Sequence, residues 1–258
     1  MKKVFLYLQL IIIIFSLPIF AQPHHKLLTK ILADNVKDGF VNYKGLENDS
    51  LFIEYIKQLK SSNPGKLKSS ADRLAFWINA YNAYTIKIIL DNYPIESINE
   101  LHSGGRILAH IFKSTVWDKD FVVINKRKMT LNEIEHEIIR KKFKEPRIHF
   151  ALVCASISCP SLRNEAYEGY KLNEQLEDQA KIFFNDRTKN KFDLKNRTAF
   201  LSKILDWYDS DFGNNDEEVL LFVAKYLPEK LSKDIQENTE EWDIDYLPYS
   251  WDLNEIKK

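Results

Sequence analysis

The sequence predicts an α+β fold, in which a central buried helix packs on a small, mostly antiparallel sheet and further helices surround it. The helix is predicted for residues 70–93. Between Leu74 and Leu90 its only charged residue is Lys87, and a helix that is apolar nearly all round is buried nearly all round. Short apolar runs joined by turn residues predict hairpins, and apolar residues at helical spacing precede and follow them.

Further helices are predicted where apolar residues recur on one helix face. Thr130 is expected to cap one of them, with Glu133 three residues on in capping-box position. The packed side of that helix carries Leu131, Ile134 and Ile138. The other predicted helices span residues 25–36, 51–59, 172–184 and 217–227.

Strands are predicted in three places. Residues 116–129 form a hairpin with its turn at Asn125-Lys126, and residues 192–201 form a second hairpin around Lys195-Asn196. Residues 242–253 are expected to be extended and aromatic. Residues 147–153 alternate between two faces that are both largely apolar, which predicts a strand in the interior of a sheet.

The composition excludes several classes of function. The chain has 37 basic and 37 acidic residues, so nothing indicates nucleic acid or an anionic membrane as a partner. It has 7 glycines among 258 residues and no glycine-rich phosphate loop. No cofactor is predicted. No internal repeat or linker divides the chain, so residues 22–258 are predicted to form a single α+β domain.

The N-terminus has the layout of a secretory signal peptide. Lys2 and Lys3 precede an uncharged, mostly apolar run over residues 4–20, and Ala21 offers a small residue for cleavage, although Ile19 is imperfect at position −3. A retained membrane anchor is the alternative, but the run is slightly short for a span. We therefore expect residues 1–21 to be cleaved. The mature protein would be periplasmic or extracellular, without stable membrane insertion.

The chain has two cysteines, Cys154 and Cys159, and they follow the predicted strand 147–153. A thiol held where a strand leaves a sheet suits a nucleophile, but it needs a nearby base to ionise at neutral pH. His149 is one possible base, although an odd separation on a regular strand puts it on the opposite face from Cys154. His136 is the other, on a helix face turned away from the packed side.

Other side chains could complete such a site. Asn79 and Asn82 are three residues apart on the buried helix, and either amide, or Glu135, could orient the base. The alternative is that both amides bind backbone groups of neighbouring loops and fix the fold. His149 and the two cysteines match no usual zinc spacing, so no metal site is predicted. The residues considered for binding are Trp77, Ser156, Ser158 and Cys159.

Several of these segments together resemble one family. They are the run Ala75-Phe-Trp-Ile-Asn-Ala-Tyr-Asn-Ala83, the run Leu131-Asn-Glu-Ile-Glu-His136, the run from Arg147 to Leu162 with Glu165-Ala-Tyr167, and Pro248-Tyr-Ser-Trp-Asp-Leu-Asn254. The chain is similar in them to the domain-of-unknown-function family numbered 547, as a secreted bacterial-type member. The family often has Asn where this chain has Val153, which puts any role of that Asn here in doubt.

The resemblance implies little chemistry, since the function of the family is not established. By analogy of fold alone, a cysteine-peptidase-like or transglutaminase-like arrangement is conceivable, although the buried helix carries no Cys as in papain-type enzymes. Two hypotheses therefore stand. In the first, the protein is a cysteine-centred hydrolase or acyltransferase-like enzyme with Cys154 as nucleophile. In the second, it is a non-catalytic binding or structural module with a Cys154–Cys159 disulfide.

Overall fold

The computed structural model describes residues 25–101 and 115–257, so the predicted signal peptide lies outside the described residues. Most of the chain is helical. The helices are α1 (His25–Asn35), α2 (Tyr43–Leu46), α3 (Ser50–Ser61), α4 (Ser70–Leu90), α5 (Glu133–Arg140, a π-helix), α6 (Lys141–Phe143), α7 (Leu172–Asn185), α8 (Lys203–Trp207), α9 (Asp209–Phe212), α10 (Asp216–Ala224) and α11 (Glu229–Glu237). Single 3-10 turns are formed at Pro64–Lys66, Ile98–Leu101, Val116–Asp118, Pro146–Phe150, Gly169–Lys171 and Thr239–Glu241. No helix within the described residues is long and apolar enough to cross a membrane.

Within residues 25–101 and 115–257 the strands are short and form three separate sheets. They are β1 (Val36–Lys37), β2 (Phe40–Val41), β3 (Val122–Ile124), β4 (Arg127–Met129), β5 (Lys191–Asp193), β6 (Thr198–Leu201) and β7 (Asp243–Tyr246). The antiparallel pairs are β1–β2, β3–β4 and β5–β6, while β7 runs parallel to β6. Both predicted hairpins are present, and the α+β class is confirmed. Strands this short cannot cover a long helix, so α4 packs mainly against α2, α3, α5 and 3-10 turns.

The central helix α4 is buried as its sequence predicts, since every residue from 74 to 86 is buried. A capping box between Ser69 and Asp72 begins the helix, in which the Ser69 hydroxyl accepts from the Asp72 amide and Asp72 accepts from the Ser69 amide. It ends at Leu90, three residues before the predicted end. Pro94 disfavours helical backbone at the residue before it, so the chain leaves the helix early.

The prediction of an interior strand over residues 147–153 is wrong. Pro146–Phe150 is a 3-10 turn that begins at a proline and is capped by Glu145, whose carboxylate accepts from the Arg147 amide. The apolar alternation has another cause. Ile148 packs in the hydrophobic cluster around α4, whereas Phe150 packs in a second cluster with Phe183, Phe184 and other residues of the C-terminal part. The segment therefore lies between two cores, which also makes both of its sides apolar.

Side-chain amides of α4 hold the backbone around this segment in place of a neighbouring strand. Asn82 Nδ2 donates to the Ala151 carbonyl at 2.9 Å, and Asn82 Oδ1 accepts from the Val153 amide at 2.9 Å. Asn79 binds both backbone groups of Tyr167 in the same way, each at 2.8 Å. Both amides therefore satisfy buried backbone groups, which agrees with the interpretation that they fix the fold.

The C-terminal segment closes the structure over the loop that follows Cys154. The Ile157 amide donates to the Asp252 carbonyl at 2.8 Å, and the Asn254 amide donates to the Ala155 carbonyl at 3.0 Å. The Leu253 amide donates to the Glu96 carbonyl at 2.9 Å. This segment is extended and aromatic as predicted, and its hydrogen bonds bring Tyr249 and Trp251 to the cysteine loop.

Replacing Asn82 should destabilise the protein strongly. Asn82→Ala leaves the Val153 N–H and the Ala151 C=O without their side-chain partner in a buried place, so we expect a loss of about 2–4 kcal/mol in the free energy of unfolding. Urea unfolding followed by circular dichroism measures it. The control is Asn214→Ala, which removes an exposed amide and should change the free energy by less than about 0.5 kcal/mol. Equal effects of the two substitutions would contradict this role.

Candidate active site

Cys154 opens onto a cavity of about 280 Å³. The walls come from α4, α5, α8, the cysteine loop and the C-terminal segment, and most of the side chains are aromatic or apolar. Apolar walls with a few converging polar groups are typical of small-molecule sites. The lining residues are Tyr81, Asn99, Thr115, Trp117, Asn132, Glu135, His149, Leu152, Cys154, Cys159, Pro160, Ile204, Trp207, Tyr208, Tyr249 and Trp251.

The Cys154 thiol has hydrogen-bonding neighbours on two sides. Its sulfur lies 3.2 Å from Tyr249 Oη and 3.3 Å from Ser156 Oγ. Ser156 Oγ also lies 3.0 Å from Tyr249 Oη, so the two hydroxyls and the sulfur form one hydrogen-bonded group. The Cys154 amide donates to Cys159 Sγ at 2.7 Å, and both cysteines are free thiols. Ala155 follows with a φ of 65°, a left-handed conformation that is uncommon for a residue with a Cβ and tends to occur at active sites.

These neighbours give the thiols of Cys154 and Cys159 different pKa values. Burial alone would raise the pKa of Cys154, but hydrogen bonds from Cys159, Ser156 and Tyr249 to the sulfur lower it to about 7. Burial and the hydrogen bond to Cys154 raise the pKa of Cys159 well above its ordinary value. Cys154 is therefore the thiol that ionises near neutral pH, and the thiolate is the nucleophilic form.

The imidazole of His149 lines the same cavity and is hydrogen-bonded to the carboxylate of Asp211. His149 Nε2 lies 2.6 Å from Asp211 Oδ2, and the ring stacks on Tyr208 with centroids 4.1 Å apart. Hydrogen bonds from His149 and Arg140 hold the pKa of Asp211 well below its usual range, so the carboxylate stays charged. Because residues 147–153 are not a strand, the alternation argument that placed His149 and Cys154 on opposite faces does not apply.

His149 and Cys154 share the cavity without touching. Among the hydrogen bonds of the described residues, those of the Cys154 sulfur go to the Tyr249 phenol, the Ser156 hydroxyl and the Cys159 thiol, and that of the imidazole goes to a carboxylate. In unliganded enzymes the hydrogen bond between a nucleophile and its base is often long, and it shortens only when substrate binds. A thiol, an imidazole and a carboxylate that binds the imidazole therefore lie around one cavity.

His136 lies outside the cavity that Cys154 lines. Its Nδ1 accepts from Arg140 at 3.0 Å, and Arg140 makes two hydrogen bonds to Asp211, at 2.6 and 2.9 Å. The imidazole is half-buried but does not line the cavity. His136 thus contacts the outer side of the Arg140–Asp211 pair, while His149 contacts the inner side. The structure brings His149, rather than His136, to the cavity of Cys154.

Glu135 is a buried carboxylate in the cavity wall. Its Oε2 accepts from Tyr81 Oη at 3.0 Å, and Tyr81 Oη in turn accepts from Trp117 Nε1 at 3.1 Å. Only 6% of the residue is exposed. It projects from the π-helix α5, and helices of this kind occur frequently at functional sites. Glu135 makes no hydrogen bond to His136 or His149, so it forms part of the cavity wall and does not orient either imidazole.

The remaining residues considered from the sequence fall into two groups. Ser156 and Cys159 contact Cys154 directly, and Ser158 accepts from the Ser250 amide at 2.9 Å and so helps to hold the C-terminal segment. Asn79 and Trp77 do not line the cavity, and Trp77 packs edge-on against Phe76 in the core. Asn82 does not line the cavity, but it binds the backbone of Ala151 and Val153, directly before Cys154.

Tyr208, Asp211 and Tyr249, which contact His149 or Cys154, were not identified from the sequence. Tyr208 and Asp211 lie around α9, a four-residue helix with no helical periodicity to detect. Tyr249 lies in the run 248–254, whose aromatic character was apparent, but nothing in that run indicates contact with a thiol 95 residues away. Within the described residues, no group of three or more His, Cys, Asp or Glu side chains could hold a metal ion.

The fold and the cavity together define an α+β domain built around an acidic, cavity-facing thiol. Residues 64–184 match the model of the family described as "Protein of unknown function, DUF547". The match includes Glu135, His149 and both cysteines, whereas Tyr208, Asp211 and Tyr249 lie beyond it. No curated protein and no solved structure matches the chain.

The acidity of the Cys154 thiol should depend on Tyr249. In wild type the rate of Cys154 alkylation by iodoacetamide is expected to rise with pH through a midpoint near 7. Tyr249→Phe removes a hydrogen bond that favours the thiolate, so the midpoint should move up toward the ordinary thiol value of about 8.5. Mass spectrometry of the peptide containing Cys154 measures the rate. Tyr170→Phe, at a residue 81% exposed, is the control, and an unchanged midpoint in Tyr249→Phe would refute the assignment.

Proposed function

We propose that the protein is a cysteine-dependent hydrolase or acyltransferase, with Cys154 as the nucleophile and His149 as the base. The observation that carries this proposal is that the Cys154 thiol, with Tyr249 and Ser156 beside its sulfur, and the imidazole of His149, bound to a carboxylate, both lie in the wall of one cavity. Asp211 orients the imidazole through Nε2, which leaves Nδ1 as the ring nitrogen for proton transfer. A thiol nucleophile, a base and an orienting third group are the parts that covalent acyl transfer needs.

The reaction balances with these groups. His149 takes the thiol proton, and the Cys154 sulfur forms a bond to the carbonyl carbon of an ester, thioester or amide. As the tetrahedral adduct collapses, the bond to the leaving group breaks, and His149 returns the proton to the departing alcohol, thiol or amine. Water, or an acceptor alcohol or amine, then attacks the enzyme thioester while His149 takes its proton. The acid or transferred product leaves, and the proton goes back to Cys154.

Tyr249 has a place in this scheme because its hydroxyl lies beside the sulfur in the resting state. Its hydrogen bond stabilises the thiolate before attack. Once the sulfur is acylated it is a weaker acceptor, and the phenol is free to donate to the oxyanion of the adduct. The Cys154 amide is already engaged by Cys159 and is not available for that oxyanion.

The competing hypothesis of a non-catalytic module leads to a different expectation for the same thiols. Cys159 Sγ accepts from the Cys154 amide, so the two cysteines lie side by side, as formation of a disulfide between them requires. A protein isolated with a quantitative Cys154–Cys159 disulfide that resists mild reductant would favour the module. Free, alkylatable Cys154 in the native protein would favour the enzyme.

We also propose export, on the strength of the charged and apolar layout of residues 1–21. If the signal peptide is removed, the intact mass of the protein purified from the producing cell corresponds to a chain that begins at Gln22. A full-length mass in the membrane fraction would instead indicate the retained anchor.

Acylation of Cys154 tests the proposed chemistry. With p-nitrophenyl acetate, the wild-type protein should gain one acetyl group on the Cys154 peptide, and Cys154→Ala should gain none there. His149→Gln should slow the acetylation by about 10²–10⁴-fold, because the proton acceptor is lost. Asp211→Asn should slow it in the same direction, because the imidazole loses its orienting carboxylate.

The matched control is Asp206→Asn, which alters an exposed carboxylate paired with Lys203 on the neighbouring helix and should leave the rate as in wild type. Near-ultraviolet circular dichroism checks that each variant is folded. Equal rates in wild type, His149→Gln and Asp211→Asn would show that the His149–Asp211 pair takes no part.

A further inference from the structure

The charge in the cavity wall is unbalanced. Among the described residues that line the cavity, Glu135 is the only carboxylate and none is Lys or Arg. Arg140 stands behind the wall, where its two hydrogen bonds to Asp211 engage it more strongly than its attraction to Glu135 does. Glu135 receives a hydrogen bond from the neutral Tyr81 hydroxyl, which does not cancel its charge. In the part of the cavity wall that the structure describes, a ligand therefore meets one negative charge in mostly apolar surroundings.

A second acceptor in the same wall is unused. Asn99 Oδ1 is buried and has no hydrogen-bond partner among the described residues, although Asn99 lines the cavity. Burying an amide oxygen without a donor is unfavourable, and such atoms are uncommon in folded proteins. A carboxylate and a free carbonyl oxygen in one cavity call for a ligand that is rich in N–H donors.

The aromatic rings at the cavity complete the pattern. Trp207, Tyr249 and Trp251 pack on one another, with ring centroids 4.8 Å apart for Trp207–Tyr249, 4.6 Å for Tyr249–Trp251 and 5.8 Å for Trp207–Trp251. Trp207 is 44% exposed, which is unusual for so large an apolar side chain. The faces of such rings attract cations, and groups of them surround ammonium ions in many binding sites.

From these three features we infer that the cavity binds a substrate carrying an ammonium or guanidinium group, with Glu135 as its counter-charge and the Trp207–Tyr249–Trp251 cluster as its aromatic wall. This inference rests on the proposed function, in that the cationic molecule is the acyl donor or the acceptor amine that meets Cys154. Glu135 is then a specificity residue, which selects the substrate by charge.

A charge series of otherwise similar ligands tests the inference by binding, independently of any reaction. The probes are 2-phenylethylamine, its neutral analogue 2-phenylethanol and the anion 3-phenylpropionate, titrated calorimetrically into the wild-type protein. We expect the ammonium compound to bind at least about tenfold more tightly than the alcohol, and the anion to bind weakest. Equal binding of amine and alcohol, tighter binding of the anion, or no binding of the amine would each overturn the inference.

Variants locate the effect. Glu135→Gln keeps the size of the side chain and should remove the preference for the amine over the alcohol. Glu137→Gln is the matched control, because Glu137 lies on the same helix, exposed and paired with Lys141, and should keep the preference. If Glu135→Gln does not fold, the wild-type charge series still decides the question.

The same titration on Cys154→Ser separates this inference from the proposed reaction. The amine should bind Cys154→Ser as it binds wild type, because the counter-charge and the rings remain. If acetyl-Cys154 forms but the amine is not preferred, the cation site is refuted and the enzyme stands. If the amine is preferred but Cys154 is never acylated, the cysteine chemistry is refuted and the cation site stands.

Discussion

The hydrogen bonds between the amide of Asn82 and the backbone on both sides of Leu152 are the contact on which the rest of the site depends. A buried apolar helix cannot offer its own backbone to a neighbour, because its N–H and C=O groups are used inside the helix. One side-chain amide on that helix supplies a donor and an acceptor in the spacing that an extended segment needs. Residues 151–153 can therefore cross the core without a partner strand, and they deliver Cys154 to the cavity.

Asp211 is a second shared contact, and it joins parts of the chain that are far apart in sequence. Its carboxylate accepts from Arg140 on α5 and from His149 on the 3-10 turn, and it belongs itself to α9. One charged acceptor thus sets the position of the imidazole relative to the helix that carries Glu135. Since Arg140 also engages His136, the two candidate histidines, His136 and His149, have different surroundings, and His149 is the one that lines the cavity.

The stretch that matches the family model does not contain the whole site. The matched stretch supplies the helix α4, Glu135, His149 and both thiols, but Asp211 and the Tyr249 phenol beside the sulfur come from the following part of the chain. The backbone hydrogen bonds of the C-terminal segment to the cysteine loop make this possible. The cavity is thus complete only when the C-terminal part has packed on the domain.

By itself the sequence determined the α+β class, the burial of α4 and both hairpins, because each of these follows from local periodicity or turn residues. The chemistry of the side chains also indicated Cys154 and His149 as candidate site residues. The sequence led to a false strand at residues 147–153, because a segment between two cores shows the same alternation as a segment inside a sheet. Only the tertiary structure decided that His149 shares the cavity of Cys154, and that Asp211, Tyr208 and Tyr249 join them. Those contacts link residues tens of positions apart, and no local pattern encodes a distance between them.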